Sequence, residues 1–179
     1  SSYQRFLNIY DDIYSVDSKN THHWTQQDSI IPRLIIWDGS IEIIKDNYLV
    51  GVGLDNFNKS LDEQIRLNNI QPVRKDLNNP TAGLNHAHNQ YLDIFAKAGI
   101  FGLAALIIFI YINYYFFVYH IRKSDDNLYS IFGLLVIISY SIFMLNHAVL
   151  SHHQSTIFML LMLIFCAAQS KTTTTETVL

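Results

Sequence analysis

The chain has one cysteine, Cys166, set in an apolar run, so no disulfide framework can be built from it. A block of basic residues is also missing. The net charge of -3 is spread over both signs, which argues against nucleic acid as a partner. There is no initiator Met and no charged-then-apolar leader, and the sequence reads as the C-terminal piece of a longer protein. No internal repeat is evident. The most informative absence is local: from Ala98 to Tyr119 there is no Asp, Glu, Lys or Arg, and about 20 such residues cross a bilayer core as helix.

What is present falls into two regimes. Residues 1–97 hold 12 of the 15 acidic and 9 of the 12 basic residues, whereas 98–179 are dominated by Leu, Ile, Phe and Tyr. The first regime reads as a water-facing, mainly helical segment and the second as membrane, giving an all-α integral membrane protein as the expected fold class. Three spans are expected, at about 98–119, 128–145 and 155–168, followed by a disordered tail at 169–179 that includes the low-complexity run Thr172 to Thr175. Tyr111, Tyr114, Tyr115 and Tyr119 crowd the far end of the first span as an aromatic belt would. Arg122 and Lys123 after the first span, and Lys171 after the third, favour the cytoplasm; by alternation residues 1–97 and the turn 146–155 are extracytoplasmic. Asn113, Ser130, Ser139 and Ser141 are the clear polar interruptions in the spans. So few argue against a transporter, the rival from a different functional class.

Within the first regime, Asp28-Ser-Ile-Ile-Pro32-Arg33 resembles a helix start, and Leu34, Ile35, Trp37, Ile41 and Ile44 recur at helical spacing up to Gly51-Val-Gly53. Residues 56–85 are polar, with Asn78-Asn-Pro80 and Gly83 as turn signals, and predict a mobile loop. From His86 the pattern predicts helix again, on which His86 and His88 would point about 200° apart. His88-Asn89, followed by Gly99-x-x-Gly102 at the mouth of the apolar run, puts an imidazole and an amide where an extracytoplasmic segment enters the membrane. Gly99 and Gly102 would let neighbouring helices approach. His86-x-His88 with His152-His153 could supply four imidazoles to Zn²⁺. That spacing is not diagnostic, and the reading adopted is no metal, with His147, His152 and His153 lining a polar turn or an acceptor cavity.

Three stretches taken together, Arg33-Leu-Ile-Ile-Trp37, Tyr48-Leu-Val-Gly51-Val-Gly53-Leu-Asp-Asn-Phe57, and His86-Ala-His88-Asn89-Gln-Tyr91-Leu92 with Gly99 and Gly102, resemble the O-antigen ligase and polymerase-like membrane glycosyltransferases. The resemblance implies a large periplasmic loop in a multi-pass enzyme of the bacterial inner membrane. It implies transfer of a glycan from an undecaprenyl-pyrophosphate carrier to an acceptor hydroxyl on lipid A core, another glycan or a protein, without a cofactor. On this pattern the motif histidine falls on His88 and the loop arginine on Arg33, with Asn89, His86 and Tyr91 as substrate-binding residues and Gly51, Gly53, Gly99 and Gly102 as the structural motif. A repeat-unit polymerase and a protein-directed transferase fit the same donor chemistry.

The residue types suit that reaction. Displacing a lipid pyrophosphate builds negative charge on phosphate oxygens, and the two fixed N–H donors of a guanidinium such as Arg33 match them. The attacking hydroxyl must lose a proton, which an imidazole such as His88 can take near neutral pH. The leaving group is already activated, so a divalent metal is not obligatory.

Overall fold

The computed structural model describes residues 30–70, 84–123 and 127–176. The chain divides into two units, 1–31 and 32–179; of the first only Ile30 and Ile31 are described, and the account below concerns the second. Its elements are helices α1 (Ile30–Asn47), α2 (Phe57–Arg66), α3 (Gln90–Lys123) and α4 (Leu128–Phe143), a 3₁₀ turn (Val149–Ser151), and α5 (His153–Glu176). Among the described residues there is no strand.

Helices α3, α4 and α5 pack on one another around Leu106, Phe117, Ile137, Met144, Val149, Met159, Leu163 and Cys166. The Phe117 ring of α3 lies directly on Gly133 of α4, where no side chain could fit. Polar contacts also join α4 and α5: the Ser130 hydroxyl donates to Ser170 Oγ at 2.9 Å, Ser170 donates to the Cys166 carbonyl at 2.7 Å, and the Tyr140 hydroxyl donates to the Ser155 carbonyl at 3.4 Å. The outward faces are apolar too, with Phe101 70% and Ile164 65% exposed. An apolar exterior of this extent marks contact with lipid or with other protein.

By length and composition α3 and the His153–Ser170 part of α5 can each cross a membrane. The 16 residues of α4 reach only about 24 Å, less than the roughly 30 Å hydrocarbon core. Four sequence expectations change. Helix begins at Gln90 rather than His86, because the Asn89 carboxamide caps it by accepting the N–H groups of Tyr91 and Leu92 at 3.0 and 3.1 Å. The polar stretch after Asn56 contains a helix, α2, held by the burial of Phe57, Leu61 and Gln64; Asn78, Pro80 and Gly83 lie outside the described residues. Helix α5 continues to Glu176 through residues expected as a disordered tail, since extending a formed helix is far easier than starting one.

The fourth change concerns the glycines. Helix α3 breaks at Gly99 (φ 64°, ψ −162°), a backbone region that is essentially glycine-only. The loop after α1 fills the break. Ile100 N–H donates to the Tyr48 carbonyl at 2.8 Å, while Val52 N–H and Gly53 N–H donate to the Ala96 and Lys97 carbonyls at 2.9 and 2.8 Å. Gly51 (φ 69°) faces the Lys97 backbone so closely that a Cβ would collide with it. Gly99 therefore docks a loop, not a helix. At Gly102 an added Cβ would meet Ala98 and Ile94 of the same helix.

Candidate functional site

Ala87 is fully buried and held from both sides. Its carbonyl accepts the Trp37 indole N–H at 2.9 Å, and its N–H donates to Asp93 Oδ1 at 2.9 Å. Trp37 lies one turn beyond Arg33 on α1, so the same helix that carries the guanidinium anchors the histidine segment. Either side of Ala87 stand His86 and His88. His88 has φ 52°, an unusual left-handed conformation for a residue with a side chain. Because the segment is not helical, the two rings do not diverge. They meet edge to face with centroids 4.3 Å apart, and the expectation that they point apart is overturned.

The turn between α4 and α5 brings two more imidazoles. His152 lies 5.7 Å from His86 and 4.7 Å from His147, and His147 lies 6.5 Å from His86, centroid to centroid. This turn is tied to the start of α3: Asn89 Nδ2 donates to the Leu145 carbonyl at 3.0 Å, Gln90 N–H to the Met144 carbonyl at 2.8 Å, and Leu150 N–H to Gln90 Oε1 at 2.7 Å. Nδ1 of His86 and Nδ1 of His147 are buried without a hydrogen-bond partner. Among the described residues no group of three or more His, Cys, Asp or Glu is arranged to hold a metal ion.

Beneath the rings lies an ion pair that sequence reasoning missed. Lys97 Nζ donates to Asp93 Oδ2 at 2.9 Å, with the two side chains only 8% and 3% exposed, and Ser151 Oγ reaches the same carboxylate oxygen at 3.5 Å. Lys97 Nζ also sits 5.4 Å from the centre of the Phe57 ring, so α2 closes the far side of the pair. The i, i+4 spacing of Asp93 and Lys97 was the available signal.

The electrostatics favour neutral imidazoles. Burial pushes His88 below the ordinary histidine value, with the positive charge of Arg33 and then His147 adding to the effect and Asp93 opposing it. His86 is lowered by burial and by His88 against the pull of Asp93, and His147 by burial, His152 and Arg33. Arg33, itself exposed, thus bears on both His88 and His147.

The structure therefore gathers His86 and His88 with His147 and His152, and carries Arg33 on the helix whose Trp37 anchors their segment. Asn89 commits its carboxamide to capping α3 and to the Leu145 carbonyl. Tyr91 donates its hydroxyl to the Ser141 carbonyl at 3.0 Å and lines an open apolar groove of about 510 Å³ with Tyr111, Ile138 and Leu145. Gly51, Gly53 and Gly99 form the joint between α1 and α3.

A model of the O-antigen ligase family matches residues 2–107, more than half of the sequence. The chain belongs to the O-antigen ligase family. The matched region takes in Arg33, Trp37, His86, His88 and the Gly99 break, and the O-antigen ligase match stops short of His147 and His152. Among curated proteins, an uncharacterized protein of Haemophilus influenzae (strain ATCC 51907 / DSM 11121 / KW20 / Rd) is 24% identical over 148 residues, covering 82% of this chain and 34% of that relative. The chain thus spans about a third of the length of the relative it matches.

Proposed function

We propose that this chain carries the reacting centre of an enzyme that moves a glycan from an undecaprenyl-pyrophosphate carrier to an acceptor hydroxyl, as an O-antigen ligase does. Residues 1–97 lie on the periplasmic side of the bacterial inner membrane, and α3 beyond Lys97, α4 and α5 are embedded in it. The observation that supports this reading is the meeting of His86 and His88 with His147 and His152 at the head of an apolar helix set, on a segment that the helix of Arg33 anchors through Trp37. The acceptor oxygen bonds to the anomeric carbon as the bond from that carbon to the phosphate oxygen breaks. His88, kept neutral by burial and by Arg33, accepts the hydroxyl proton and later releases it to solvent or to the departing diphosphate. Arg33 receives the charge that grows on the phosphate oxygens. The proposed reaction needs no metal.

The test uses the intact protein in lipid nanodiscs with a lipid-diphosphate glycan and an acceptor. His88→Ala should lower transfer by about 10² to 10⁴, and EDTA should leave wild-type turnover unchanged. Full transfer by a well-folded His88→Ala protein would sink the role given to His88. EDTA inhibition restored by Zn²⁺ would sink metal independence. Orientation is tested separately: a cysteine at Asn85 should react with a membrane-impermeant thiol reagent in spheroplasts, and one at Ser124 should not. The reverse pattern would overturn the topology and the mechanism together.

A further inference from the structure

The O-antigen ligase match ends at residue 107, yet half of the imidazole cluster comes from the turn between α4 and α5. We propose that His147 and His152 bind the diphosphate oxygens of the donor, making this turn the leaving-group wall of the site; the assignment rests on the transfer reaction proposed above.

The inventory of donors and acceptors points this way. Asp93, the carboxylate beneath the rings, is already committed to the Ala87 N–H, to Lys97 and to Ser151. The rings bring donors instead. Nδ1 of His86 and of His147 are buried and unpartnered, and an imidazole can place its N–H on the nitrogen that faces an acceptor. Those Nδ1 atoms are closed to a ligand, so each ring would carry its N–H on Nε2, and a diphosphate supplies several acceptor oxygens at once. Position agrees with this. The positive charge of Arg33 acts on His147 as well as on His88, and an anion near these rings would feel the same charge. His152 immediately precedes α5, whose first N–H groups carry partial positive charge and favour an anion. His88 is left to the acceptor hydroxyl, so donor and acceptor are handled by different segments of chain.

His147→Phe is the informative variant, because it keeps an aromatic ring beside Phe143, 5.3 Å away, and removes the N–H; His147→Gln returns a donor. In the intact protein, KM is measured separately for an undecaprenyl-diphosphate glycan and for the acceptor, together with inhibition by inorganic pyrophosphate. His147→Phe and His152→Phe should each raise donor KM and the pyrophosphate inhibition constant by about tenfold, leave acceptor KM within about twofold, and the Gln variant should recover much of the loss. Unchanged donor KM and pyrophosphate inhibition in both Phe variants would overturn the assignment, as would a rise confined to acceptor KM. If wild-type protein transfers nothing from that donor, the transfer reading fails, and calorimetry with pyrophosphate then decides this inference alone. Binding that is abolished by His147→Phe upholds the anion site. No binding by wild type, or equal binding by both proteins, removes it.

Discussion

Replacing Asp93 by Asn takes one charge from a pair whose side chains are 3% and 8% exposed and leaves the Lys97 ammonium buried without a counter-ion. Breaking a buried pair from one side costs about 3–5 kcal/mol. The Phe57 ring 5.4 Å from Lys97 Nζ offsets roughly 1 kcal/mol of that. The Asn carbonyl can still accept the Ala87 N–H that Asp93 now holds at 2.9 Å. A net loss of about 3 kcal/mol is therefore expected. Asp93→Ala should cost about 1–3 kcal/mol more, since it also leaves the buried Ala87 N–H unsatisfied. Adding Lys97→Met to Asp93→Asn removes the orphaned charge and should bring stability back to within about 1.5 kcal/mol of wild type. The assay is denaturant and thermal unfolding of the intact protein in one detergent, with wild type, Asp93→Asn, Lys97→Met and the double variant forming a double-mutant cycle. Strict additivity of the two single substitutions, or an Asp93→Asn cost under about 1 kcal/mol, would refute the claim that the pair is energetically closed.

Arg33→Lys keeps the charge and loses the planar fork, so transfer should fall by about tenfold or more, and a well-expressed Lys variant with full activity would reduce Arg33 to a surface charge. His86, His88 and His147 all sit below the ordinary histidine value, so the unfolded chain binds more protons than the folded one as pH falls below about 6.5. Stability should be whole at pH 7 and decline from about 6.5 downward. Denaturation midpoints in which His147→Phe declines as steeply as wild type would contradict the part given to His147. Gly99→Ala should destabilise by at least about 2 kcal/mol, because the new side chain meets a glycine-only backbone conformation and the Leu49 backbone, and an unchanged melting temperature would refute the joint.

The sequence made the apolar helices and the family's stretches around Arg33 and His88 legible because both are written in contiguous residues: an uncharged run, and fixed spacings around Gly51, Gly53 and Gly99. Helix α2 was hidden because its buried face is just Phe57, Leu61 and the polar Gln64, so the apolar period is too thin to stand out in a polar stretch. The break at Gly99 was hidden because its partners, Tyr48 and Val52, lie more than 40 residues away in sequence. The pairing of His86 with His152 was hidden for the same reason. Which imidazoles face one another is set by Gln90 bonding Met144 and Leu150, a long-range match that no local pattern announces.

The segment that carries His86 and His88 owes its shape to Trp37, Asp93, Asn89 and Gln90, and none of those hydrogen bonds ends on an imidazole ring. Scaffold and reagent are thus separable at this point in the chain. The peptide around Ala87 acts as a fixed socket into which rings of different basicity can be fitted without reshaping the backbone. An imidazole here can be exchanged for an isosteric ring and the outcome read as chemistry. For a designer, acid–base character can be retuned at positions 86 and 88 while the fold stays constant; for a lineage, proton affinity at these positions can drift without first risking the architecture.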